Sequence, residues 1–207
     1  GLTEIVPDFS AFFVPLAFQS LEDVQNVTDA LLPNLEKQIE SKGFKLLTLS
    51  DLGWAYWFST TELRTPNHLK NKKIFTWAGD FKWEQTWKKA GYNPVSLAST
   101  DILSGLQTGL IDAMPTMPIY ALAQQSFGIV NHMLDLKWGV LMAGIIIDLK
   151  TWNRIPEKYH EELIGITQKI QTHYKSLNQE AEINAITAMK QYGLTVHSIT
   201  EEEKKMW

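Results

Sequence analysis

The chain has no cysteine. That excludes disulfides, thiol catalysis and cysteine-ligated zinc, and it is compatible with an oxidising compartment. A basic cluster is also missing. The net charge of -4 and the pI near 5.7 argue against a nucleic-acid partner. No apolar run reaches the roughly 18 residues of a membrane span. The longest, WGVLMAGIII at 138–147, reads as a buried strand or a pair of strands. There is no His-Glu-x-x-His, Gly-x-Ser-x-Gly, phosphate loop or Gly-x-Gly-x-x-Gly. The five histidines are His68, His132, His160, His173 and His197. Only His160 has carboxylates beside it, Glu161 and Glu162, and that trio reads as a solvated helix face, not a metal site. Asp101 and Asp112 are the carboxylates nearest strand ends, and Asp101 reads as an early-helix charge at the positive end of the helix dipole. The sequence therefore points to no enzyme, no cofactor and no metal. No leader peptide is visible, and both ends, at Gly1 and at TEEEKKMW, read as cut.

What is present is an ordinary globular composition, 44% hydrophobic and 20% charged. A chain of 207 residues accommodates one domain or two small lobes. Ser20 followed by Asp23 predicts a helix start, and Gly43 its end. FKLLTLS and GWAYWFS predict two strands, with Trp54, Tyr56 and Phe58 on one face of the second and Ala55 and Trp57 on the other. TPNHLKNKK reads as a connector. KIFTWA, FKWEQTWKKAG, NPVSLA, STDILSGLQTG, LIDAMPT and PIYALAQQSFG then alternate strand and helix. That rhythm predicts a mostly parallel sheet covered by helices, with ligands beyond the carboxyl ends of the strands. Those ends fall near 77–80, 98–100 and 114–117. Apolar residues stepping from Tyr159 to Tyr192 predict one long helix over 156–192, about 55 Å if unbroken. LTVHSIT is a final strand.

Three tryptophans crowd KKIFTWAGDFKWEQTWKKAGY at 72–92. Trp83 and Trp87 share a helix face and read as core. Trp77 ends a strand beside a Gly-Asp turn, where such a sheet opens its cleft. Trp54 and Trp57 lie on opposite faces, so at most one points into any pocket. A binding role is expected for Trp77 and for one of that pair, since aromatic rings line small-molecule sites.

The order of segments resembles the substrate-binding subunit of TRAP transporters, the DctP-type family 7 extracellular solute-binding proteins. TPNHLKNKKIFTWAGD, then WKKAGYNPVSLASTDILSGLQTGLIDAMPTMP, carry the resemblance, supported by IIIDLKTWNRIPEKYHEEL, MKQYGLTVHSIT and EIVPDFSAFFVPLAF. It covers nearly the whole chain. The resemblance implies an α/β fold, a two-lobed periplasmic binding protein of type II with a long bridging helix and lobe one incomplete. Lobe one would be 1–58, lobe two 59–137, and 138–207 a crossover strand, the long helix and a return to lobe one. The implied function is extracytoplasmic solute binding and delivery to TRAP-type membrane permease subunits, with no membrane span and no nucleic acid.

The departures from the family pattern shape the ligand expectation. The pattern's Lys-Ile-Arg, whose Arg clamps a ligand carboxylate, has Phe75 at the Arg position. A second family Arg falls at Ala55, and Thr116 stands where an Asn usually contacts ligand. A carboxylate desolvated without an Arg is costly. The expected ligand is therefore small and hydrophobic or aromatic, held by Phe75, Trp77, Trp54, Trp57, Ala55, Thr116, Met114, Met117 and Ser99. The alternatives are a carboxylate binder with a relocated Arg, such as Arg64, a protein-protein interaction module, and an enzyme or regulatory domain reusing the fold.

Overall fold

A computed structural model describes all 207 residues. In chain order the elements are α1 (Leu2–Ile5), a 3-10 turn (Pro7–Phe13), α2 (Leu21–Ser41), β1 (Phe44–Ser59), α3 (Pro66–Lys70), β2 (Lys73–Trp77), α4 (Phe81–Lys89) and β3 (Asn93–Leu97). There follow α5 (Ile102–Gln107), β4 (Ala113–Thr116), α6 (Pro118–Ala123), β5 (His132–Asp148), α7 (Leu149–Trp152), α8 (His160–Gln191), β6 (Thr195–His197) and α9 (Glu201–Lys204). No helix is long and apolar enough to cross a membrane.

Local chemistry sets many of these boundaries. Ser20 and Asp23 form the expected capping box: the Asp23 N–H donates to Ser20 Oγ (3.0 Å) and the Ser20 N–H to Asp23 Oδ2 (2.9 Å). The two strands expected at 44–50 and 53–59 are one continuous strand, β1. Gly53 lies inside it at φ 117, a backbone state open to glycine, so the strand continues through. TPNHLKNKK is not a plain connector but holds α3, with Pro66 in its first turn.

The chain divides into two compact units, Gly1–Trp54 with Gly139–Ala181, and Ala55–Trp138 with Glu182–Trp207. β6 pairs with β5 at His132–Leu134 and Trp207 packs on Trp138, so residues 182–207 belong to the second unit.

In the first unit, Phe9, Phe12, Val24, Leu35 and Ile39 are buried. The α8 residues of this unit are latched to β1 by polar side chains. Thr167 Oγ1 donates to the Leu47 carbonyl (3.2 Å), Gln171 Nε2 to the Leu49 carbonyl (2.9 Å), and Lys175 pairs with buried Asp51 (2.9 Å). The helix spans 32 residues, about 48 Å. Its apolar stripe is largely uncovered: Ile166, Ile170, Tyr174 and Leu177 are exposed. His160 is not on a solvated face. Its ring stacks on Trp152 (4.0 Å), and its Nε2 lies within hydrogen-bonding distance of the Trp152 and Ile155 carbonyls (3.2 and 3.0 Å).

In the second unit the sheet order is β3-β2-β4-β1-β5-β6. β2 runs parallel to β3 and β4, β5 parallel to β6, and β1 antiparallel to β4. Gly105 of α5 lies so close to the sheet that an added Cβ would come within 2.8 Å of the Leu97 side chain. α5 therefore covers the face on which Leu97 projects.

Candidate functional site

The carboxyl ends of β2, β3 and β4 come level in one row. Trp77 stands opposite Leu97, and Thr116 opposite Tyr56. Ile74 is opposite Ala113, so three residues further along both strands Trp77 comes level with Thr116. Leu97, Trp77, Thr116 and Tyr56 thus share a face, with Val95, Phe75, Met114 and Phe58 as the next row on the same face.

Trp77 is 53% exposed, whereas Phe75 is 3% exposed, and their rings meet edge to face at 4.9 Å. The buried Phe75 ring fixes the indole and leaves one of its sides open. The Gly-Asp turn beside it is pinned. The Ala78 N–H donates to the Leu97 carbonyl (2.9 Å) and the Asp80 N–H to the Trp77 carbonyl (3.1 Å). Asp80 Oδ1 accepts from the Trp83 N–H (3.2 Å), which commits that carboxylate to capping α4.

The other expected site residues divide. Met114 and Met117 are buried, and Thr116 is half-buried on the Trp77 row. Ser99 is exposed where the chain leaves β3. Trp54 and Ala55 are buried at 5% exposure each. Trp57 lines no open surface. It projects to the opposite face, is fully buried, and packs against Trp87 (6.1 Å) and Trp138 (5.4 Å). Trp87, expected in the core, is half-buried and packs through its ring on Trp57 and Trp138. Asp112 is also structural: it accepts from the Lys73 N–H (2.8 Å) at the far end of β2.

Sequence reasoning missed Tyr56 and Glu182. The Tyr56 hydroxyl donates to Glu182 Oε1 (2.8 Å), across 126 residues of chain. Burial, then the Glu182 charge and this hydrogen bond, push the Tyr56 pKa well above the ordinary tyrosine range. The polar end of the Trp77 row is thus a neutral hydroxyl committed to a carboxylate, a poor host for an anion. Nor is Arg64 free to supply a cation. Its guanidinium pairs with Glu203 (2.7 Å) and Glu62 (2.9 Å), beyond the Ser59 end of β1, away from Trp77. The chain's other arginine, Arg154, lies in the first unit.

The Arg64 cluster extends to a histidine pair. His132 Nδ1 and His197 Nε2 are 2.7 Å apart with the rings stacked, and His197 Nδ1 reaches Glu62 (3.2 Å). Burial, then His197, lower the His132 pKa, opposed by Glu62 and assisted by Lys72. A depressed histidine pKa favours the neutral form in the folded state. Its stabilisation is complete above the unfolded value of about 6.5 and is lost as pH falls below it. The Glu203 pKa, lowered to about 2 chiefly by the Arg64 hydrogen bond, adds a second loss from about 4.5 downward. Melting curves should show the midpoint falling as pH drops from 7 to 5, and a His132→Gln variant should show a flatter profile over that window. An unchanged slope in the variant would remove the histidine pair as the cause.

The model of the bacterial extracellular solute-binding proteins, family 7, matches residues 1–207. Among curated proteins, the C4-dicarboxylate-binding periplasmic protein DctP of Rhodobacter capsulatus is 24% identical over 98% of this chain and 61% of its own length. The 2,3-diketo-L-gulonate-binding periplasmic protein YiaO of Escherichia coli is 25% identical over 96% of this chain and 60% of its own. The chain therefore spans about three fifths of these relatives. A TRAP periplasmic solute-binding protein of Pseudomonas aeruginosa with bound L-malate shares the fold at a TM-score of 0.91 and 17% identity, covering 100% of this chain and 72% of that one. The periplasmic ectoine-binding protein of the TeaABC TRAP transporter of Halomonas elongata does so at 0.89 and 18%, covering 97% and 66%.

Proposed function

The chain belongs to the bacterial extracellular solute-binding proteins of family 7, and we propose that it serves as the periplasmic binding subunit of a TRAP-type transport system, taking a small ligand with an aromatic or apolar surface and handing it to a membrane permease. The observation that carries the ligand class is the open indole of Trp77, backed by Phe75 at the position where the family motif has its carboxylate-clamping Arg. A ring or apolar chain laid on Trp77 gains area burial and stacking without a desolvated charge. The ligand-contacting set proposed is Trp77, Thr116, Met117 and Ser99, with Phe75 and Met114 beneath. The neutral Tyr56 hydroxyl and its Glu182 partner add the electrostatic argument against an anion.

A second reading keeps a carboxylate ligand. The names of the relatives, which concern C4-dicarboxylates, 2,3-diketo-L-gulonate and L-malate, favour it. That reading requires a cation from outside the Trp77 row.

The test is to purify the intact protein gently, extract it, and identify the stoichiometric compound by mass spectrometry. An apolar or aromatic molecule supports the first reading. Calorimetry with that molecule should then show Trp77→Ala weakening binding about tenfold, the worth of one stacked aromatic contact. Tight, saturable binding of malate or 2,3-diketo-L-gulonate that Trp77→Ala leaves unchanged would overturn it.

A further inference from the structure

We propose that the second unit carries a separate site for a planar aromatic carboxylate, at the corner formed by Tyr92, Trp138 and Trp207. A cavity of about 440 Å³ opens there, lined by these rings together with Asn67 and Lys70. That is within the size range of small-molecule sites.

The walls are set before any ligand arrives. Trp138 packs on both Trp87 (6.0 Å, 27° between planes) and Trp57 (5.4 Å), which also touch each other, and Trp207 meets it at 5.6 Å and 75°. The Trp207 indole N–H donates to the Arg64 carbonyl (2.9 Å), and the Arg64 side chain is fixed by Glu62 and Glu203. Tyr92 packs edge-on against Trp87 at 4.8 Å. A flat ring entering this corner meets indole surfaces already oriented, so little ordering entropy opposes it. The lining side chains carry one formal charge, the Lys70 ammonium, 5.7 Å from the centre of the Tyr92 ring. It is exposed and positioned to meet a carboxylate on a ring held in the corner, while the Asn67 amide supplies a neutral polar group at the rim.

This cavity is not the Trp77 surface. α3 leads into β2 and Tyr92 leads into β3, so the cavity stands at the amino ends of those strands, whereas Trp77 closes the carboxyl end of β2. The proposal stands or falls independently of the transport reading.

Calorimetry with naphthoate, and with naphthalenemethanol as its uncharged counterpart, tests it on the intact protein. Naphthoate should bind saturably at one site. Lys70→Met, at an exposed position that leaves the fold intact, should weaken naphthoate about fivefold, the worth of one solvent-facing ion pair, and leave naphthalenemethanol unchanged. Absence of saturable binding, or equal naphthoate affinity in the parent and in Lys70→Met, would each overturn the assignment.

Discussion

Trp57→Ala should lower the stability of the second unit by about 4 kcal/mol, the cost of deleting a large buried aromatic side chain. The side chain is fully buried, and its ring contacts Trp87 and Trp138 on the sheet face opposite Trp77. For a chain of this size the midpoint should fall by roughly 10 °C. Trp57→Phe should cost about half as much. The Trp57 Nε1–H is buried and finds no acceptor, so phenylalanine forfeits area but removes an unpartnered donor. Trp77→Ala, at a half-exposed ring, should stay within about 1 kcal/mol of the parent. Chemical denaturation of the three variants reads all of this at once. Equal losses for Trp57→Ala and Trp77→Ala would refute the assignment of one ring to the core and the other to a ligand surface.

Phe75→Arg restores the residue type of the family motif and should nonetheless destabilise the protein by about 3 kcal/mol. Phe75 is 3% exposed beneath Trp77, and its row neighbours are Val95 on β3 and Met114 on β4, both apolar. A guanidinium placed there has no partner, and an unpaired buried charge costs several kcal/mol. Malate binding should not be gained, because the rest of the row lacks polar anchors. The decisive pair of measurements is the melting midpoint and malate calorimetry on the same variant. An unshifted midpoint with acquired malate binding would mean that position 75 opens to ligand and that the carboxylate reading is the better one.

Much of the architecture follows from local rules. The alternation of strand and helix from Lys73 to Ala123 is legible because strand period, helix period and caps act over a few residues. Ser20 with Asp23, and Pro66 and Pro118 in first turns, are of this kind. Trp77 at a strand end beside Gly79 was readable for the same reason. Alternation also separates Trp57 from Trp54 and Tyr56, but it cannot say which face another element will cover.

That second question belongs to tertiary structure. Trp57 became core because Trp87, 30 positions later, and Trp138, 81 positions later, close over its face. The joining of two expected strands into β1 runs through Gly53, whose φ of 117 lets the strand continue. Arg64 with Glu203, Tyr56 with Glu182 and His132 with His197 lie 139, 126 and 65 residues apart. No periodicity or motif links such pairs, since a hydrogen bond depends on distance in space and carries no signature along the chain. Local propensity and patterning determined which elements form and where the strands end. Chain crossing determined which rings are buried, which cations are committed, and which indole remains open.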